Sequence, residues 1–179
     1  KGRKDEKKID ALFKQLETII PQYLYGYNSD TLSSVIGTIL KERQLSIGTV
    51  ESCTAGKVAS EITKTSGSSA YYMGSLLTYS NELKEELADV PKALIQENGS
   101  VSEEVAKAMA EGGKSRLGVD LCISTTGIAG PTGGTEDKPV GMVWVAIATP
   151  ETTITRKFHF SQHRERNIHM TVLCALNLL

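Results

Sequence analysis

The chain has 179 residues, 40% hydrophobic and 23% charged, with 20 basic against 21 acidic side chains and a net charge of −1. That size suits one domain with a core large enough to need no disulfide or metal staple. The charge balance excludes a broad basic surface for nucleic acid, leaving only a local patch open. No apolar run reaches the roughly 18 residues that span a bilayer. The opening segment Lys1–Lys8 lacks the apolar core of a secretory leader, so no membrane partner and a cytoplasmic location are expected.

Apolar residues at Ile9, Leu12, Phe13, Leu16, Ile19 and Ile20 predict a helix from Lys7 to Ile20, stopped by Pro21. An extended connection with Tyr23, Tyr25 and Tyr27 follows. Ser29 or Asp30 is expected to cap a second helix with Leu32, Val35, Ile36, Ile39 and Leu40 on one face. Leu45 to Val50 reads as a strand leading into the small-residue turn Glu51-Ser-Cys-Thr-Ala-Gly56, then a helix from Lys57 to Lys64. After the loop Thr65–Ser69, a strand is expected over Ser75–Tyr79. Asn81 is expected to cap a helix to Ala88, and Pro91 to open another. Ser102 caps a helix from Glu103 to Leu117 that Gly118 ends, with Glu103 and Glu104 at the positive end of its dipole.

Val119 to Thr126 predicts a third strand and Gly127 to Lys138 a glycine-rich loop. Val140 to Ala148 is apolar on both faces, as a buried strand requires. Thr152 to Phe160 alternates and can pair with it through the Pro150 turn, and Arg164 to Leu179 closes the chain as a helix. Helices interleaved with strands predict an α/β fold, a three-layer α/β/α sandwich around a mixed sheet.

Cys53, Cys122 and Cys174 form no CxxC pair and read as reduced thiols. His159, His163 and His169 have no carboxylate or cysteine to complete a ligand set, so no metal or other cofactor is expected.

Two loops carry the chemical interest. The turn after the first strand exposes Ser52 at a sheet edge and aims backbone N–H groups at whatever docks there. The same residues also make an ordinary helix cap, and spacing does not choose between the two. The second loop, Thr125 to Gly134, has the glycines for close backbone approach but is neither a Walker A nor a GxGxxG sequence. A plain flexible loop is the other reading. Ligands of open α/β sheets sit at strand C-terminal ends, which favours a binding site at both loops. A serine nucleophile needs a base, and no histidine lies nearby. Lys84 in the first turn of its helix is the alternative, with Tyr79 to relay or orient a proton, although a lysine in Asn-Glu-Leu-Lys-Glu also fits a solvated face.

Six motifs occur in order: Glu51-Ser-Cys-Thr-Ala-Gly56, Gly67-Ser-Ser-Ala70, Thr78-Tyr-Ser-Asn-Glu82 with Lys84, Gly99-Ser-Val-Ser-Glu-Glu104, Thr126-Gly-Ile-Ala-Gly-Pro131, and Gly133-Gly-Thr-Glu-Asp-Lys-Pro-Val-Gly141. From about Leu32 to the C-terminus the chain resembles the CinA C-terminal domain, the nicotinamide mononucleotide deamidase family. The resemblance implies hydrolysis of nicotinamide mononucleotide to nicotinate mononucleotide and ammonia. Carried over, it makes Ser52 the nucleophile, Lys84 its base and Tyr79 an assistant. It groups Thr54, Ala55, Gly56, Ser68, Ser69, Thr126, Gly127 and Gly130 around the substrate. Backbone N–H groups at Thr54 to Gly56 would hold the oxyanion, and Arg164 the 5′-phosphate.

The resemblance further implies a homodimer, for which Tyr23, Tyr25, Tyr27 and the first helix offer a surface unless they pack on their own domain. It also implies that residues 1–28 are an extension from a longer protein and residues 29–179 the domain. Two positions depart from the family pattern. Ala55 stands where a second glycine is usual, so a positive φ there would be strained. Gln162-His163 stand where Gly-Asp often precedes the arginine. These departures keep open a non-catalytic nucleotide-binding or interaction module linked to competence or damage response. An amidase for another small amide is a third reading.

Overall fold

The computed structural model describes residues 2–21 and 24–179, so Tyr23 lies outside the described residues. A first helix α1 (Gly2–Ile19) begins five residues before the predicted start. It leaves Ile9, Leu12, Phe13, Leu16 and Ile19 exposed, and Tyr25 and Tyr27 after it are exposed as well. None of these side chains joins the core of its own domain.

From α2 onward, helices alternate with strands as expected. The elements are α2 (Leu32–Glu42), β1 (Ile47–Glu51), α3 (Lys57–Thr63), β2 (Tyr72–Leu77), α4 (Asn81–Ala88), α5 (Lys92–Asn98), α6 (Glu103–Leu117), β3 (Leu121–Gly127), β4 (Met142–Ala148), β5 (Thr153–His159) and α7 (Arg164–Leu178). The cap of α2 is Thr31, not Ser29 or Asp30: its hydroxyl accepts from Ser34 N–H while Ser34 Oγ accepts from Thr31 N–H. That reciprocal pair satisfies two amides at once, which Ser29 or Asp30 does not do here. Ser80, not Asn81, caps α4 by accepting from Leu83 N–H. Ser102 and Gly118 cap α6 as predicted.

The sheet order is β2-β1-β3-β4-β5. β1 runs parallel to both β2 and β3, whereas β3–β4 and β4–β5 are antiparallel, so the sheet is mixed. The Pro150 hairpin pairs β4 with β5 from Ala148 opposite Thr153. One face carries α2, α3 and α7 over a core that includes Ile47, Ile123, Val145 and Leu176. The other carries α4, α5 and α6 over Val50, Val105, Met109 and Cys122. Gly113 lets α6 close on the sheet, and Gly112 lets it close on α4. A Cβ on Gly113 would lie 2.1 Å from Val50 Cγ2, and one on Gly112 would lie 1.7 Å from the Ala88 carbonyl.

The chain leaves β1 through α3 to β2 on one side, then returns through α4–α6 on the opposite face to β3 on the other side. The gap between the C-terminal ends of β1 and β3 is therefore a topological switch point, where open α/β sheets bind ligands. Among the described residues, no helix is long and apolar enough to cross a membrane.

Candidate active site

Ser52 is the first residue beyond β1. Its N–H still donates to Thr125 O at 3.0 Å, so the sheet fixes its backbone at the switch point. Opposite it, Lys84 lies on the inward face of α4 together with Ala88 and is only 1% exposed. Helix side chains lean toward the N-terminus. The ammonium end accordingly reaches back over the start of α4 and meets Thr78 O at 2.9 Å, Tyr79 O at 3.4 Å and Ser80 O at 3.4 Å. Its fourth partner is Ser52 Oγ at 3.3 Å.

This arrangement has a clear proton logic. The three carbonyls can only accept. Ser52 Oγ is the one partner with a proton to give, so a neutral amine keeps two N–H groups on carbonyls and turns its lone pair to Ser52. Burial lowers the Lys84 pKa from its ordinary value of 10.5, against the opposing pull of Cys53 and Glu82. The bland alternative of a solvated lysine is thus excluded by its position.

A cavity of about 190 Å³ opens over these two groups, lined by Ser52, Cys53, Tyr79, Lys84, Ser100, Val101, Thr126, Gly127, Ala129 and Arg164. It is smaller than the roughly 300–1,000 Å³ typical of pockets that enclose a drug-sized ligand. Tyr79 stands at the mouth, 62% exposed. Its hydroxyl lies 3.5 Å from Arg164 Nη2, and only its carbonyl touches Lys84. The expected relay from the Tyr79 hydroxyl to the lysine is therefore not formed. Arg164 Nη1 donates to Gly130 O at 3.0 Å, and no carboxylate pairs with this guanidinium among the described residues.

Several expected substrate contacts fall elsewhere. Thr54 is fully buried, and its hydroxyl donates to Glu51 and meets Thr125 Oγ1, both at 2.7 Å. Ala55 N–H donates to Ser52 O and Gly56 N–H to Glu51 Oε2, so the amides expected to hold an oxyanion at Ala55 and Gly56 are already used. Ser68 and Ser69 form a single 3-10 turn before β2, at the far end of that strand and about 16 Å of strand away from the site. Gly130 does not line the cavity, but its carbonyl positions Arg164. Thr126 and Gly127 do line it, and Thr126 Oγ1 donates to Ser100 O at 2.7 Å.

The ladder phase shows what Gly127 offers. Leu121 N–H donates across to Ser46 O, whereas Ile128 N–H donates to Met142 O on β4. Alternate residues of β3 thus face β1, and Gly127 N–H points to the open end of β1 beside Ser52.

The departures are accommodated in different ways. Ala55 has φ 49°, in the left-handed region that favours glycine, so the strain is real. His163 caps α7 without a side-chain bond. Asn167, fully buried, takes over the anchoring of that helix. Its Oδ1 accepts from Ser161 N–H at 3.0 Å, and its Nδ2 donates to Ala129 O at 2.9 Å and Ser161 O at 2.8 Å. Sequence reasoning missed Asn167, and it gave no individual role to Cys53, Ser100, Val101 and Ala129 although each lies in a segment it singled out. The one signal for Asn167 is an amide side chain on the inward stripe of α7, beside Ile168, Thr171 and Val172.

The family model described as CinA C-terminal domain matches residues 29–179. The chain belongs to the CinA C-terminal domain family. A CinA-like protein of Cytophaga hutchinsonii is 43% identical over 169 residues, covering 93% of this chain and 40% of the relative. A putative competence-damage inducible protein of Caldanaerobacter subterraneus subsp. tengcongensis is 38% identical over 181 residues, covering 100% and 44%. The chain thus spans about two fifths of the curated relatives it matches. The crystal structure of the competence/damage inducible protein CihA from Agrobacterium tumefaciens superposes with a TM-score of 0.81 at 31% identity, covering 87% of this chain and 95% of that one. A CinA superfamily structure from Escherichia coli gives 0.80 at 31% identity, covering 89% and 98%. The CinA fold explains why the motifs converge: the Glu51–Gly56, Thr78–Lys84, Gly99–Glu104 and Thr126–Pro131 segments all border the switch point.

Proposed function

We propose that this CinA domain is an amide hydrolase that converts nicotinamide mononucleotide to nicotinate mononucleotide and ammonia through an acyl-enzyme on Ser52. The observation that carries the reading is Lys84, buried against three acceptor-only carbonyls with Ser52 Oγ as its one proton-bearing partner among the described residues. In the first half-reaction Lys84 takes the Ser52 proton as Oγ bonds to the carboxamide carbon. Gly127 N–H is the donor that supports the developing oxyanion. The C–N bond then breaks, and Lys84 returns the proton to the departing nitrogen as ammonia leaves. In the second half-reaction Lys84 deprotonates water, which attacks the acyl carbon. The C–Oγ bond breaks, and the proton returns to Ser52.

The small cavity suits the carboxamide and its ring. The ribose and phosphate then extend past Tyr79 to Arg164, whose guanidinium carries no competing carboxylate among the described residues. The family resemblance supplies the pyridine nucleotide as substrate. The same proposal has two copies of the chain assemble as a homodimer, with residues 1–28 as a segment apart from the catalytic domain.

Ammonia release tests it. The wild-type chain should release ammonia from nicotinamide mononucleotide and do so about 10- to 100-fold less efficiently from nicotinamide riboside, which lacks the phosphate. Ser52→Ala should lose at least about 10³-fold in kcat with an unchanged Tm. Absence of turnover on the mononucleotide by the wild-type chain, or full activity in Ser52→Ala, overturns the proposal.

A further inference from the structure

Glu51 is a buried acidic side chain that the proposed chemistry does not use, only 1% exposed and adjacent to Ser52 in sequence. Five donors converge on it. Oε2 accepts from Thr54 Oγ1 at 2.7 Å, Gly56 N–H at 2.9 Å and Val58 N–H at 3.1 Å. Oε1 accepts from Ala59 N–H at 2.8 Å and Thr49 Oγ1 at 3.3 Å. Four of the five belong to the Ser52–Gly56 turn or the start of α3, and one belongs to β1. Glu51 thus supplies from β1 the cap that α3 lacks locally, because its N-cap is Gly56 with no side chain to offer. Thr54 gives its only hydroxyl proton to Glu51 and so must accept from Thr125 Oγ1, which extends the same network to β3.

We propose that Glu51 is the positioning residue of this site: its carboxylate occupies the amide-rich end of α3 and stretches the Ser52–Gly56 turn between β1 and α3, holding Ser52 Oγ against Lys84. The inference rests on the reading of Ser52 as nucleophile. It has a second consequence. With the start of α3 filled by the protein's own anion, a substrate anion is directed to Arg164 on the opposite side of the cavity.

The decisive variant is Glu51→Gln, which keeps the shape but turns an NH₂ group toward N–H donors. Its kcat on nicotinamide mononucleotide should fall about 10- to 100-fold with KM within about twofold. The amides of Gly56, Val58 and Ala59 should exchange with solvent at least about tenfold faster while those of β4 and β5 do not change. Thr49→Val removes the longest contact to the same carboxylate from the β1 side, and its kcat should stay within about twofold.

Should Glu51→Gln fail to fold, Thr54→Val and Thr54→Ser make the same test. Thr54 cannot touch substrate, and valine should lower kcat about tenfold while serine, which keeps the hydroxyl, restores it to within about threefold. An equal loss in Thr49→Val and Glu51→Gln overturns the positioning role, as does unchanged amide exchange in Glu51→Gln. If the wild-type chain releases no ammonia, the functional reading fails by itself. The exchange rates, together with the Ser52–Lys84 distance in a Glu51→Gln crystal, then decide the role of Glu51, a distance held at 3.3 Å counting against it.

Discussion

The two loops at the switch point look alike in sequence, both small-residue turns leaving a strand, yet they do opposite work. The β1–α3 turn contributes a side chain, Ser52, and spends its amides on Glu51 and on itself. The β3–β4 loop contributes backbone. Its carbonyls at Ala129 and Gly130 hold Asn167 and Arg164 in place, and Gly127 N–H faces the cavity. A nucleophile needs a rigid mount, and an internal carboxylate gives one. On the proposed reading the substrate anion meets a cation that the second loop holds in place, Arg164 of α7. Small residues after a strand therefore mark where a ligand goes, not which atoms touch it.

The sharpest way to break this division is at Lys84. Lys84→Met should reduce kcat by about 10³-fold or more while leaving KM for the mononucleotide within about threefold, because the cation that holds phosphate is elsewhere. The wild-type kcat should rise with pH and level off through a pKa below the ordinary 10.5 of lysine, since the neutral amine is the working form. Stability should follow the same sign. A lysine whose folded pKa is depressed binds fewer protons folded than unfolded in the window between that value and 10.5. Wild-type stability thus rises with pH across that window, and a Tm comparison with Lys84→Met from neutral to alkaline pH should show the wild type gaining on the variant.

At the other loop the expected effect is smaller and of a different kind. Arg164→Ala should raise KM for the mononucleotide about 10- to 100-fold and leave the riboside almost unaffected. A similar loss on both substrates would mean that Arg164 orders the β3–β4 loop and does not bind phosphate. The smallest effect concerns the mount itself. Ala55→Gly relieves a left-handed alanine and should stabilise the chain by about 1 kcal/mol, a Tm rise of roughly 2–4 °C, with kcat within about twofold. A large rise in kcat would show that the strain at Ala55 distorts the turn.

The sequence made some of this plain and hid the rest for identifiable reasons. Ser102 and Gly118 bound α6 correctly because each directly adjoins the helical pattern, with no second cap-competent residue beside it. At Ser80-Asn81 and Asn28–Thr31 several cap-competent residues adjoin, and only the tertiary path decides which one is extended. β2 begins at Tyr72, earlier than its apolar pattern suggests, because as an edge strand it buries little of either face. Ser52 was legible as the hydroxyl at a strand end, but it is buried, 8% exposed, and not the open side chain that the small-residue turn suggested. Lys84 was not legible as buried from its polar neighbours, although its spacing of four from the buried Ala88 places both on one inward face. Glu51 as a cap, and the Ala55 and Gly56 amides as already bonded, were hidden because a carboxylate that reaches from one element to another leaves no periodic trace.

Cys53 gives the Ser52 turn a chemical handle. Cys53 borders the cavity beside Ser52, but its side chain belongs to the core cluster that includes Val58 and Ile123, the residue is 6% exposed, and burial pushes its pKa up to about 12. In the closed turn it is a poor reactant toward alkylating reagents, since the thiolate is the reactive species. An opening of the turn would hydrate the sulfur and restore its ordinary acidity. Its modification rate would therefore clock how often Ser52 leaves its mount, and on the proposed reading a bound substrate analogue that holds the turn shut should slow that clock.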